Sequence, residues 1–131
     1  MSIFVNWSNH PYDTWDPNQL TAAKELGTLE FLPFPEVTPA SSAQDVEKMA
    51  NNLIDSFSKK YPHPESVVTM IQGEMTLLYH LLKLLENKQY RVVAATSERI
   101  IERLPDGREL KTFKFCRFRD YFVTTTPEER S

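Results

Sequence analysis

Short apolar runs alternate with segments of helical periodicity, and this alternation constrains the fold more than any other feature. The clearest run is Val67–Ile71, a β-branched segment followed closely by Gly73, which is typical of a strand buried on both faces. Similar runs begin at Ile3, Leu29 and Val92. Strands separated by helices predict an α/β domain with a Rossmann-like, mostly parallel sheet and helices on both faces.

The segments between these runs carry helix signals of their own. Asp16 predicts the N-cap of a first helix, and Gly27 predicts its end. A second helix is indicated by apolar residues that recur at helical spacing from 46 to 57, with Ser41 or Ser42 available as the cap. These signals place one helix after each of the first two strands.

The second half of the chain predicts a third helix and a hairpin. Residues 75–85 are apolar nearly all round, so we expect the sheet and a second subunit to cover this helix. The fourth strand is expected to end at Ala95. Two later runs, 100–104 and 110–118, flank a Pro105-Asp106-Gly107 turn and predict a C-terminal β-hairpin.

Length and charge limit the classes of protein that fit. With 131 residues, the chain predicts one domain over residues 1–123 and a flexible tail over 124–131. The formal net charge of -3 gives no overall attraction to nucleic acid, although lysine and arginine concentrate after residue 88. No stretch reaches the length of a membrane span, and the single cysteine excludes an internal disulfide. We therefore expect a cytoplasmic protein that binds neither membranes nor long nucleic acids.

Polar clusters follow three of the predicted strands. They are Ser8-Asn9-His10 after the first strand, Gln72-Gly73-Glu74 with Thr76 after the third, and Ser97-Glu98-Arg99 after the fourth. In an open parallel sheet, ligands bind outside the carboxyl ends of the strands, where helix N-termini present unpaired backbone N–H groups. The clusters are therefore predicted to converge on one site.

Each cluster also has a structural interpretation. Gly73 allows either the close approach of a ligand or a tight turn. Glu74 can stabilise the start of a helix through the helix dipole, or it can take part in a reaction. Residues 8–10 are typical turn formers, and Arg99 beside Glu98 suits a surface ion pair. The sequence has no GxGxxG motif, Walker loop, nucleophile elbow or metal-ligand spacing of histidines, so we expect no cofactor and no metal.

Two of these segments resemble a known family. The Ser8-Asn9-His10-Pro11 loop and the Gly73-Glu74-Met75-Thr76 turn resemble the CARF-like domains and small stand-alone ring nucleases of type III CRISPR systems. The similarity lies in the arrangement of strands, helices and turns over about the first hundred residues. The Gly73 turn has one glycine, whereas CARF turns often have two. It implies a homodimer with a cleft that holds cyclic oligoadenylate, and cyclic tetra-adenylate is the favoured ring. The implied reaction needs no metal: a ribose 2′-hydroxyl attacks the adjacent phosphate and opens the ring.

The resemblance also implies roles for individual residues. By matching position, Ser8, Asn9 and Thr76 would bind phosphate or ribose, and Gly73 would offer its backbone; we add Gln72 and Ser97 as ligand-binding candidates. The candidates for proton transfer and charge stabilisation are His10, Glu74 and Arg99. Two other hypotheses stay open, namely a non-catalytic sensor of the same nucleotide and a structural or interaction protein.

Overall fold

A computed structural model describes residues 2–123, which form five strands and three α-helices. The strands are β1 (Ile3–Ser8), β2 (Thr28–Pro33), β3 (Val67–Ile71), β4 (Arg91–Arg103) and β5 (Glu109–Asp120). The helices are α1 (Pro17–Leu26), α2 (Ala43–Lys60) and α3 (Met75–Asn87). The tail predicted over 124–131 lies outside the described residues. Within the described range, no helix is long and apolar enough to cross a membrane.

The strands form one sheet in the order β2-β1-β3-β4-β5. The first four strands are parallel, and β5 runs antiparallel to β4. Helix α1 packs on one face of the sheet, whereas α2 and α3 pack on the other. The mostly parallel sheet, the helices on both faces and the C-terminal hairpin confirm the predicted α/β fold. The chain reverses its direction of winding between β1 and β3, so the switch point of the sheet lies at their carboxyl ends.

Aromatic packing anchors β1 on both faces of the sheet. On the α2 and α3 face, the buried Trp7 ring stacks on Phe57, with centroids 5.0 Å apart and planes 4° from parallel. On the α1 face, Phe4 packs against Trp15 and Phe118 at centroid distances of 6.1 and 5.2 Å. Aromatic pairs add to the stability gained from apolar burial, so β1 is anchored from both sides.

Strand β1 is longer than the apolar run at its start. The apolar run ends at Val5, but the strand continues to Ser8. Asn6 and Ser8 are fully buried, and their polar groups are paired within the turn that follows. The Asn6 Nδ2 donates to the His10 carbonyl at 2.8 Å, and the Ser8 hydroxyl donates to the Asn6 Oδ1 at 2.5 Å. Buried polar side chains are tolerated in a strand when they are hydrogen-bonded in this way.

Strand β4 also extends beyond its prediction. The expected end at Ala95 is wrong, because β5 pairs with β4 as far as Arg103 through a register shift between Thr96 and Ser97. Strand β3 pairs only with residues 91–93 of β4. Beyond Val93 the two strands therefore form a two-stranded β4–β5 arm, residues 94–119, that continues past the carboxyl ends of the parallel strands. The predicted turn at its tip is confirmed, with Gly107 at φ +88°.

The cap of α2 gives a test of the fold. The Ser42 hydroxyl accepts from the Asp45 N–H at 3.1 Å, and the Asp45 carboxylate accepts from the Ser42 N–H at 3.0 Å. We expect Ser42→Ala to lower the free energy of unfolding by about 1 kcal/mol, measured by urea denaturation. The neighbouring variant Ser41→Ala is the control and should change it by less than about 0.5 kcal/mol. Equal effects of the two variants would contradict the assigned cap.

Candidate functional site

A cleft of about 530 Å³ lies at the carboxyl ends of β1, β2 and β3. Its walls are the loop after β1, the loop between β2 and α2, and the start of α3, represented by Asn9, residues 34–39 and Glu74. We call this the switch-point cleft, because it lies beside the reversal between β1 and β3. Its volume falls within the range of small-molecule sites.

The turn after β1 presents some of its side chains and uses others internally. The buried Ser8 hydroxyl donates to Asn6 and accepts from the His10 N–H at 3.1 Å. The His10 carbonyl also accepts from the Trp15 Nε1 at 2.8 Å. By contrast, the side chains of Asn9 and His10 are exposed and make no hydrogen bond within residues 2–123. Asn9 and His10, rather than Ser8, are thus available to a ligand.

The space beside Gly73 is filled by an aromatic ring. A Cβ atom placed on Gly73 would lie 2.2 Å from ring atoms of Phe34, which is itself buried. The backbone of Gly73 has no positive φ. The glycine is required because Phe34 packs directly on its Cα, so the close approach predicted for a ligand is made by the protein's own side chain.

The start of α3 is capped by its own carboxylate. Glu74 accepts from the N–H groups of Thr76 and Leu77 at 3.0 and 2.9 Å, and from the Thr76 hydroxyl at 2.6 Å. The bond from the Thr76 hydroxyl, followed by the two backbone bonds, lowers the pKa of Glu74. A negative charge here is also favoured by the helix dipole. The Glu74 carboxylate therefore occupies the N–H groups that a phosphate would use.

The third polar cluster does not lie at a strand end. Ser97 and Arg99 are exposed residues of the β4–β5 arm, where they pair in register with Phe115 and Phe113. Gln72 does lie at the carboxyl edge, and its backbone N–H donates to the Trp7 carbonyl at 3.0 Å. The structure thus brings Asn9 of the first cluster and Glu74 of the second together at the switch-point cleft, and it separates the third cluster from them.

The charge of this edge is negative. The three loops that form it, residues 8–16, 34–42 and 72–76, contain four acidic residues and no lysine or arginine. The acidic residues are Asp13, Asp16, Glu36 and Glu74. Within the described part of the chain, no group of three His, Cys, Asp or Glu side chains is arranged to hold a metal ion. An anionic ligand in this cleft therefore needs cations from another part of the molecule or from a partner.

The loop between β2 and α2 contributes most of the residues that line the cleft, including Phe34, Glu36 and Thr38. None of its residues is among the site candidates that the sequence predicts. The available signal was its position, because it follows the strand that neighbours β1 in the sheet. That neighbour relation becomes known only once the strand order is known.

Residues 2–119 match the uncharacterized protein MJ1673 family. The matched range includes all three helices and all but the last residue of β5. No curated protein and no solved structure matches the chain. The family match thus covers the switch-point cleft and the β4–β5 arm together.

The contact between Gly73 and Phe34 can be tested by a double-mutant cycle. We expect Gly73→Ala to lower the free energy of unfolding by about 1–3 kcal/mol, because the new methyl group overlaps the ring. In a Phe34→Ala background the same substitution should lower the free energy of unfolding by much less, since the ring atoms that the methyl group overlaps are absent. Urea denaturation of the four proteins measures the coupling. An equal cost in both backgrounds would show that the ring is not what Gly73 accommodates.

The hydrogen bonds of Glu74 predict a pH effect. Because its pKa is lowered on folding, the carboxylate stabilises the fold above its ordinary value of 4.5, and this contribution is lost as pH falls through the folded-state value. Thr76→Val removes the largest cause and should raise the pKa of Glu74, as measured by NMR titration of its carboxyl carbon. Thr112→Val on the arm is the matched control. If both variants titrate like the wild type, the Thr76 hydroxyl is not the cause.

Proposed function

The chain belongs to the uncharacterized protein MJ1673 family, and we propose that it binds cyclic oligoadenylate at the carboxyl edge of its sheet and cleaves it without a metal ion. The observation that carries this proposal is the convergence of two segments on one cleft. These are the Ser8-Asn9-His10 turn and the start of α3, the same segments that resemble the ring nucleases. Cyclic tetra-adenylate is the ring we favour.

The proposed reaction is an internal transfer at phosphorus. A ribose 2′-oxygen attacks the adjacent phosphorus atom while the bond from phosphorus to the 5′-oxygen breaks. The 2′-hydroxyl gives its proton to a base, and the departing 5′-oxygen takes up a proton. The product is a linear oligoadenylate with a 2′,3′-cyclic phosphate and a 5′-hydroxyl. Alignment of the 2′-oxygen and stabilisation of the negative charge at phosphorus supply most of the rate.

The exposed side chains at the carboxyl edge of the sheet suggest how these tasks are divided. We assign proton transfer to His10, because an imidazole both accepts and donates protons near neutral pH. We assign Asn9 a hydrogen bond to a phosphate or ribose of the ligand, and Gln72 a hydrogen bond to the edge of an adenine or to a ribose. Glu74 holds the first turn of α3 and is assigned a positioning role, since its carboxylate already accepts three hydrogen bonds.

A ring of four nucleotides also favours two copies of the protein. Cyclic tetra-adenylate has two-fold symmetry, and most oligomers of soluble proteins are two-fold dimers. We therefore propose that each copy of a homodimer binds half of the ring in its own switch-point cleft. We place the reaction in the cytoplasm, where an exposed thiol such as that of Cys116 stays reduced.

A non-catalytic sensor of the same nucleotide is the second candidate, and one observation favours it. Glu74 lines the cleft together with Asn9 and Glu36, and its lowered pKa keeps it ionised near neutral pH. It is therefore a poor proton donor to a leaving group. If His10 does not transfer protons either, the cleft would bind the nucleotide without cleaving it.

Incubation with cyclic tetra-adenylate and excess EDTA tests the proposal, with products resolved by chromatography. We expect linear products from the wild type and a rate lower by on the order of 10² or more for His10→Ala. His63→Ala is the matched control, because His63 is also exposed but lies before β3, at the opposite edge of the sheet. Binding in calorimetry without turnover would support the sensor. Absence of both binding and turnover would overturn both candidates.

A further inference from the structure

The β4–β5 arm exposes apolar side chains on both of its faces. Paired residues of a hairpin lie on the same face, so Arg99 shares one face with Phe113, and Ile101 shares it with Lys111. We call this the Arg99 face. Phe113 is 70% exposed there, and Ile101 is 51% exposed. The opposite face carries Ile100 and Leu110, which are also exposed. An isolated two-stranded ribbon is marginally stable in water, so these side chains indicate that a partner covers the arm.

The charge of the arm is opposite to that of the cleft. Residues 94–119 contain seven lysines and arginines against four acidic residues, whereas the carboxyl-edge loops are acidic without a single cation. On the Arg99 face, Arg99 and Lys111 form no ion pair within residues 2–123. The arm therefore carries the cations that the cleft of the same chain lacks.

The arm leaves the molecule at the edge where the cleft opens. Its base is held on the α1 side, where the Phe115 N–H donates to Asp16 at 3.1 Å and the Phe118 ring packs on Trp15. Beyond this base, residues 97–103 and 105–114 are all exposed. At about 3.3 Å per residue, the ten residues of β4 after Val93 span roughly 30 Å. That is long enough to cross the edge of a second molecule.

We propose that the arm of one copy docks on the carboxyl edge of a second copy and places Arg99 and Lys111 at the partner's switch-point cleft. A nucleotide phosphate near Glu36 and Glu74 is repelled unless positive charge is added, and a guanidinium group is the natural counter-ion for phosphate. The identity of the ligand rests on the proposed function. The docking itself rests on the exposure and charge of the arm.

A second copy fits the arm better than a nucleic acid does. Four acidic residues are interspersed along the arm, and two of them pair with its cations: Arg108 lies 2.5 Å from Asp106, and Arg103 lies 3.9 Å from Glu109. A long polyanion would meet these carboxylates along the whole ribbon. A compact acidic patch needs only the unpaired cations of one face, together with apolar contact to Phe113 and Ile101.

Sedimentation velocity of the full chain tests the docking. We expect a dimer for the wild type and a dissociation constant raised on the order of tenfold or more by Lys111→Glu. Lys114→Glu is the matched control, because it makes the same charge change on the opposite face of the same strand. Adding Glu36→Lys to Lys111→Glu should restore the dimer. Thermal melting of each variant verifies that it is folded. A monomeric wild type, or a dimer indifferent to Lys111→Glu, would overturn the inference.

Mixing two defective variants tests whether the arm completes the partner's site. Asn9→Ala/His10→Ala removes the two exposed side chains of the turn after β1, and Arg99→Ala/Lys111→Ala removes two cations of the arm. Each should be inactive alone on cyclic tetra-adenylate. An equal mixture should regain activity, up to about a quarter of the wild-type value, because half of randomly formed dimers combine one intact cleft with an intact arm from the partner. Calorimetric titration with the same ring gives a parallel reading that does not require turnover.

The outcomes separate this inference from the proposed function. If the dimer depends on the arm but neither binds nor cleaves the ring, the docking is supported and the nucleotide ligand is overturned. If Arg99→Ala/Lys111→Ala is fully active on its own, the arm is not part of the site, and the proposed nuclease activity still stands. Retention of single-stranded RNA by the arm of a monomeric protein would identify a different partner and overturn the docking.

Discussion

The hydrogen bonds that converge on the carbonyl of His10 hold the carboxyl edge together. Asn6 donates to it from inside β1, and Trp15 donates to it from the segment that precedes α1. The Trp15 ring then packs against Phe118, at the base of the β4–β5 arm. The strand, the candidate ligand-binding turn and the arm are thus connected through one acceptor. Leaving the buried amide of Asn6 unpaired would be costly, so these bonds hold the turn in one conformation. That conformation sets the position of the His10 Cα, from which the side chain extends.

The start of α3 shows how a chain can use an anion site for itself. A helix N-terminus commonly binds phosphate through its unpaired N–H groups. Here Glu74 occupies those groups, and Phe34 fills the space next to Gly73. Binding of the anionic ligand that we propose then depends on side chains such as Asn9 and on cations brought to the cleft, rather than on the backbone.

The charges of the chain are separated along the sequence and in space. The acidic edge and the basic arm belong to the same molecule, yet the arm points away from the sheet and its unpaired cations face solvent. Opposite charges held apart within one copy attract each other between copies. In the docking that we propose, a binding site divided in this way is complete only in an assembly, so ligand binding is coupled to the association of subunits.

Features that depend on neighbouring residues could be predicted from the sequence: the caps at Asp16 and at Ser41 or Ser42, the buried run of β3, the hairpin turn, and the placement of Asn9 and Glu74 at strand ends that meet in the cleft. Features that depend on distant partners could not be predicted in this way. Strand β4 passes Ala95 because β5 supplies its hydrogen bonds, and Gly73 is needed because Phe34 reaches it from another loop. A local pattern records propensity and periodicity, whereas strand ends and the occupants of a cleft depend on which segments the fold brings into contact.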